Sequence, residues 1–354
     1  MEKSRYFCNS FTQCRKKFIS KVHERYEVHS HQAPYRGAYD ENLYIDEVLI
    51  NPGKTKDLLI ITSGVHGVEG YIGSGCQTYF LEQLAEKYPK NSFLLIHAVN
   101  PYGFSSNRRV NENNVDINRN FLDQYDVENK EYEKYHTTLT MENKKNFKVF
   151  RLILFILFSL IKGRKKEIQT AISGGQYSFE NGLFFGGKEK QWSSKTWEKI
   201  LKKYEQKYSA LHLLDIHTGL GKKGVGHLLS QNIKPFPAMD DFFGKEIINI
   251  NADNKISASL LGTITSTILK KEASGNSALV LEFGTYPPVK VLMALCRDNW
   301  GNEQGSEIAL QKSSSEHMKN CFYIDNDKYK NKVLGRFEDV IEMYTSFINR
   351  KESL

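Results

Sequence analysis

Two hydrophobic rhythms alternate along this chain. Asp57–Thr62 and Ser92–Val99 are nearly continuous apolar runs, the pattern of strands covered on both faces of a parallel sheet. Two shorter apolar runs follow at Ala210–Ile216 and Leu279–Phe283, and Leu43–Ile50 reads as a further strand closed by the turn Asn51-Pro52-Gly53. Between the strands the apolar spacing lengthens to three and four. Phe7, Phe11, Cys14, Phe18 and Val22 predict an amphipathic helix over Ser4–Val22, and helical spacing returns over Tyr71–Lys87. Further helices are predicted at Ser194–Tyr208, Asp240–Ile250, Pro287–Asp298 and Phe337–Arg350. Buried strands alternating with helices predict an α/β fold, a three-layer α/β/α sandwich around a mixed, mostly parallel sheet. The 354 residues are read as one domain, 1–354, with a helical insertion at about 126–173.

That insertion breaks the rhythm. An apolar stretch from Leu152 to Ile161 is preceded by Lys144, Lys145, Lys148 and Arg151 and followed by Lys162, Arg164, Lys165 and Lys166. A helix over 147–161 would be about 22 Å long at ~1.5 Å per residue, short of the roughly 30 Å hydrocarbon core. A full membrane span is therefore not expected. A buried helix, an oligomer contact or a peripheral membrane contact remain open for 147–161.

Composition narrows the classes. Apolar and charged fractions of 40% and 25% suit an ordinary folded protein. The formal charge of +8 invites an anionic partner. Half of it falls between Asp126 and Glu167, however, where ten Lys and Arg face six acidic residues. No basic helix interleaved with aromatics and no finger spacing accompanies the charge, so nucleic acid is not an expected partner. Five cysteines without close pairing indicate neither a disulfide framework nor a Cys-type zinc ribbon. No apolar signal follows Met1–Tyr6, and the expected residence is cytoplasmic, with membrane association as the alternative.

The ends of the strand-like runs carry the chemistry. Gly64-Val65-His66-Gly67-Val68-Glu69-Gly70 offers an imidazole and a carboxylate in one tight turn, two of the three protein ligands a catalytic zinc usually takes. A candidate third stands at the end of Leu211–His217. Asn100 and Glu282 also close apolar runs, and ligands in such sheets gather at strand carboxyl ends. Between them, Arg108–Phe121 is rich in Asn and Arg, suited to holding a carboxylate. The same composition also suits a solvated loop. His97, His212 and His227 read as strand neighbours, not ligands, and Gly175–Gly187 reads as a lid or pocket wall.

The order His66-x-x-Glu69, Arg109, Val115-Asp116-Ile117-Asn118-Arg119-Asn120-Phe121, Asp215-x-His217 and Glu282 resembles the zinc metallocarboxypeptidases, or funnelins. Gly175-Gln176-Tyr177, Gly182–Gly187 and Leu281-Glu282-Phe283-Gly284-Thr285 resemble a bacterial branch of that family, with a more distant likeness to the aspartoacylase and succinylglutamate desuccinylase group. The resemblance runs from near Tyr6 to beyond Thr285. It implies a zinc carboxypeptidase-like fold and one Zn2+ per chain on His66, Glu69 and His217. It also implies Glu282 as general base, Arg109 at the oxyanion, and Asn118 with Arg119 on a substrate carboxylate. Arg108 and Tyr286 are weaker candidates for the substrate pocket, and Asp215 either orients a ligand or caps a turn. The implied activity is hydrolysis of a peptide bond next to a free carboxylate. Deacylation of small N-acyl amino acids is the alternative, and a non-catalytic membrane-surface or partner-binding protein is a further one.

Overall fold

The computed structural model describes residues 3–22, 25–141, 171, 174–230, 242–249, 260–270, 275–303 and 308–353. Among the described residues there are eight strands, β1 (Val28–Arg36), β2 (Asn42–Ile50), β3 (Asp57–Ser63), β4 (Ser92–His97), β5 (Ala210–Gly219), β6 (Gly226–Ser230), β7 (Ile247–Asn249) and β8 (Ser277–Gly284). They form one sheet in the order β1-β2-β4-β3-β5-β8-β6-β7. The central β4-β3-β5-β8 block is parallel, and antiparallel pairing joins β2 to both β1 and β4 and β6 to β8. Every residue of β3, β4, β5 and β8 is buried, which is why these strands read as unbroken apolar runs.

The helices are α1 (Phe11–Val22), α2 (Gly70–Tyr79), α3 (Pro101–Ser105), α4 (Lys130–Glu133), α5 (His136–Thr140), α6 (Trp192–Glu205), α7 (Ile264–Leu269), α8 (Pro288–Glu303), α9 (Ile308–Phe322) and α10 (Asp327–Glu352). Strand alternation sorts them into layers. Leu58 and Ile60 pack with Trp197, Ile200 and Leu201 of α6 and with Ile264 and Ile268 of α7. Leu59 and Ile61 point the other way, into a cluster with Tyr71 and Ile72 of α2 and Val333, Phe337 and Ile341 of α10. The expected three-layer α/β/α sandwich is therefore present. A third apolar cluster, built on α8 and α9, reaches Val68 behind the His66–Glu69 turn.

Several elements differ from their sequence expectation. The helix expected at Asp240–Ile250 is, in its described part, helical only at Phe242 and Phe243, and then gives way to a short 3-10 turn at Gly244–Glu246 and the edge strand β7. Pairing of Ile247–Asn249 with Leu228–Ser230 of β6 overrides the helical spacing. The N-terminal helix is shorter than expected, because a 3-10 turn over Lys3–Tyr6 precedes α1. The C-terminal helix starts ten residues before Phe337, at Asp327, where the Asn326 side chain caps the Tyr329 N–H. Of the expected insertion, α4 and α5 are described. The apolar segment 147–161 and its basic flanks lie outside the described residues. Among the described residues no helix is long and apolar enough to cross a membrane.

Candidate metal centre

The sheet places the site at a divergence of the chain. From β3 the chain passes through α2 on one face to β4, whereas β5 is entered from α6 on the opposite face. The two connections part above the carboxyl ends of β3 and β5, the crevice in which such sheets hold ligands. His66 and Glu69 follow β3, and His217 lies on β5 directly paired with Glu282 of β8.

The His66–Glu69 turn is held by its backbone. Gly64 adopts φ +67, a left-handed conformation that favours glycine. Its carbonyl accepts the Asn100 N–H at 2.9 Å. Gly67 packs so closely on α3 that a Cβ there would stand 2.0 Å from the Gly103 carbonyl carbon. Gly67 and Val68 donate to the carbonyls of Arg109 and Arg108, at 3.2 and 2.8 Å. The turn and the Asn/Arg loop are thus one hydrogen-bonded unit. Glu69 ends at the N-terminus of α2, where the helix dipole favours a carboxylate.

Three buried side chains converge. His66 Nδ1 is 2.9 Å from Glu69 Oε1, His217 Nδ1 is 3.0 Å from Glu69 Oε2, and the two Nδ1 atoms are 3.0 Å apart. Two ring nitrogens and a carboxylate this close need a positive charge between them. Donors about 2.0–2.1 Å from a tetrahedral zinc stand about 3.3 Å from one another, close to the separation of the two ring nitrogens, with Glu69 turning one oxygen to each ring. Both rings also turn their second nitrogen towards a carboxylate. His217 Nε2 bonds Asp215, whose other oxygen accepts from Thr62 Oγ1 at 2.6 Å. Among the described residues His66 Nε2 has no hydrogen-bond partner, and it stands 3.4 Å from Asp116 Oδ1. Carboxylates in these positions fix the ring orientation of metal-binding histidines.

Electrostatics follow from this crowding. Burial opposes ionisation of Glu69, but the charge on His66 and the hydrogen bond from His217 outweigh it and hold the carboxyl far below the usual range. Burial likewise disfavours charge on His217, yet Asp215 and Glu69 raise it well above an ordinary histidine. Glu282 goes the other way. Burial, then the nearby Glu69 charge, push its carboxyl up to about 7. The Leu220 N–H bonds its Oε1 at 2.8 Å and fixes its direction.

The remaining candidates divide. Arg109 is at the centre, with Nη1 3.6 Å from Glu69 and Nε donating to Asp116 Oδ2 at 3.0 Å. Asn118 and Arg119 are buried beside it. The Asn118 Oδ1 accepts the Ile264 N–H at 2.9 Å, and the Arg119 carbonyl accepts from Tyr177 Oη at 2.7 Å. The Gly175–Gly187 segment is in this respect a wall behind Arg119. Arg108 turns away to Asp298 of α8 and to Asn114, at 3.0 and 3.2 Å, and braces the loop. Tyr286 stands on the rim between Lys223 and Lys290. Sequence reasoning gave no role to Asp116. Its place two residues before Asn118 was the available signal, but its link to His66 and Arg109 exists only in the folded chain.

Fold and donor set together define an α/β protein with a candidate His-Glu-His metal centre. Residues 7–336 match the family described as "Protein of unknown function (DUF2817)", and the chain belongs to that family. No curated protein matches it. Among solved structures it is similar to bovine thrombin-activatable fibrinolysis inhibitor in complex with tick carboxypeptidase inhibitor, at 13% identity over 93% of this chain and 98% of that one, with a TM-score of 0.44. It is also similar to carboxypeptidase A from Helicoverpa armigera, at 12% identity over 92% and 71% of the chains and a TM-score of 0.43. An aspartoacylase family protein from Mesorhizobium loti shares 12% identity over 78% and 67%, with a TM-score of 0.37. Likenesses this distant carry no functional weight, which rests on the geometry of the site.

Proposed function

We propose that this protein is a zinc-dependent hydrolase that cleaves an amide bond next to a free carboxylate, as a metallocarboxypeptidase does. The observation that carries the reading is the convergence of His66 Nδ1, His217 Nδ1 and the Glu69 carboxylate within about 3 Å, with a carboxylate facing the far nitrogen of both rings. A zinc ion on these three residues would polarise the scissile carbonyl and acidify a water.

The chain's own groups account for the rest. Glu282 is buried, with Oε1 fixed by the Leu220 N–H at 2.8 Å, so it takes the proton of the attacking water and delivers it to the leaving nitrogen. Arg109, held by Asp116, offers its guanidinium to the charge that develops on the carbonyl oxygen. Asn118 and Arg119 receive the substrate carboxylate, and their anchorage to Ile264 and Tyr177 fixes the distance between carboxylate and scissile bond.

The test is release of C-terminal amino acids from a broad peptide panel by the zinc-loaded protein. Release should cease on chelation and fall by at least about a hundredfold in Glu282→Gln, consistent with loss of a general base. A zinc-loaded protein that releases nothing from peptides but hydrolyses N-acyl amino acids is a deacylase instead. Inactivity on both substrate sets would defeat the hydrolase reading.

A further inference from the structure

The loop after β5 and the turn after β8 form a basic rim next to Glu282 that none of the chemistry above uses. Lys222, Lys223 and Lys290 are exposed. Two of them approach the Tyr286 ring, with Lys290 Nζ 3.4 Å and Lys223 Nζ 5.5 Å from its centroid. None of the three meets a carboxylate within 4 Å among the described residues, whereas the buried Arg108 and Lys330 have Asp298 and Asp325, and the half-buried Arg109 has Asp116. Two apolar side chains complete the rim, Leu220 at 55% and Val289 at 39% exposure.

The rim is rigid and joined to the site. Gly224 N–H donates to the Gly284 carbonyl at 2.9 Å, Gly284 N–H to Val225 at 3.1 Å, and Thr285 N–H to Gly219 at 3.3 Å. A Cβ on Gly284 would stand 2.4 Å from the Lys222 carbonyl, so the loop is pressed onto the end of β8. Leu220, at the head of the loop, donates its N–H to Glu282. Like charges held together on a fixed surface raise the local potential and attract an anion. Asn118 is tied through its N–H to Asp116, which faces His66, whereas the loop that carries Lys222 and Lys223 is tied through Leu220 to Glu282, the register partner of His217. With its free carboxylate at Arg119 and its scissile bond at the metal centre, a substrate would present its acyl portion on the Glu282 side, where this loop begins.

We propose that Lys222, Lys223 and Lys290 select substrates whose acyl portion carries carboxylates, that is, acidic peptides. The proposal rests on the hydrolase reading for the direction of the substrate, and its test separates the two. Leu220, Val289 and the Tyr286 ring would pack on the apolar stems of the acidic side chains.

The experiment compares paired peptides that differ only in Glu or Gln at the positions preceding the C-terminal residue, with the full-length zinc-loaded protein at low salt. Exposed ion pairs give up to about fivefold each, so the kcat/KM ratio of acidic to neutral peptide should be roughly tenfold in favour of the acidic one. The ratio should fall as salt rises. It should drop below one in a Lys222→Glu, Lys223→Glu, Lys290→Glu variant and persist when the same three become Arg. A wild-type ratio near one, or a ratio unmoved by charge reversal, overturns the proposal. Anisotropy of the same peptides, fluorescein-labelled, is read in parallel. If no peptide is cleaved, the peptidase reading fails by itself, and lysine-dependent binding of the acidic peptide upholds the rim while its absence overturns it. Flotation with phosphatidylserine vesicles closes the set. Loss of vesicle binding on charge reversal with an unchanged peptide ratio assigns the rim to a membrane surface and overturns the proposal.

Discussion

Asp116→Asn tests whether the metal centre is oriented from behind. The substitution keeps the shape and removes the charge of a side chain that is fully buried. In the wild type, Oδ1 faces His66 Nε2 at 3.4 Å and accepts the Asn118 N–H at 3.0 Å, while Oδ2 accepts from Arg109 Nε at 3.0 Å. An amide satisfies one of these sides only. With its oxygen kept towards Asn118 and His66, its NH2 would confront the Arg109 Nε–H, donor against donor. Loss of such an outer carboxylate typically lowers metal affinity by about 10–100-fold, which is about 1.4–2.7 kcal/mol. The stability cost should stay below the ~3–5 kcal/mol of a stranded buried charge, since Arg109 keeps Glu69 at 3.6 Å and the Phe184 ring at 5.6 Å. Zinc affinity is measured by competition with a chromophoric chelator, and stability separately by urea unfolding of the metal-free chain. Asp298→Asn is the control, because it releases Arg108 and should lower stability while leaving zinc affinity unchanged. Wild-type zinc affinity in Asp116→Asn, or an equal loss in Asp298→Asn, would refute the orienting role.

Two further outcomes need no metal. Gly67→Ala places a methyl 2.0 Å from the Gly103 backbone, so α3 or the His66–Glu69 turn must shift, and unfolding should be easier by several kcal/mol on the scale of overpacked or strained sites; a melting temperature within a degree or two of wild type would show that the turn is softer than it looks. Burial holds the His97 imidazole down to about 4, against the opposing charge of Asp46. The unfolded chain, with an ordinary histidine near 6.5, binds more protons between those values, so His97's contribution is complete above about pH 6.5 and is lost as the pH falls towards 4. Wild type should lose about 2 kcal/mol more stability than His97→Gln between pH 7 and pH 5 in urea titrations, and equal losses would remove His97 as the cause.

How much could be read before folding depended on how many partners an element has. The strands β3, β4, β5 and β8 are covered on every side, and their own apolar runs reveal them. Edge strands lack that signature. In β1, Val28–Arg36, only Ala33 is fully buried, and the strand exists through its pairing with β2. β7 is three residues long, and the apolar spacing around it also fits a helix. The helix α9 was not expected at all, because its sequence from Ile308 to Phe322 has a diluted apolar stripe.

The same division holds at the site. Residue type and local spacing suffice to place an imidazole and a carboxylate on one turn after a strand, and a histidine and a glutamate at the ends of two others. These are short-range properties, set by the strand and turn periods. Tertiary structure alone decides that His217 and Glu282 are register partners and that Nδ1 of both histidines is the inward nitrogen. It also decides that Asp116 stands behind His66 and Arg109, while Arg108 is drawn off to Asp298. Most depend on contacts between segments far apart in the chain, about 150 residues for His66 and His217 and 190 for Arg108 and Asp298, with Arg109 and Asp116, seven residues apart, the local exception. The basic rim belongs to the same class, since Lys223 and Lys290 meet across Tyr286 only when two strand ends are brought side by side.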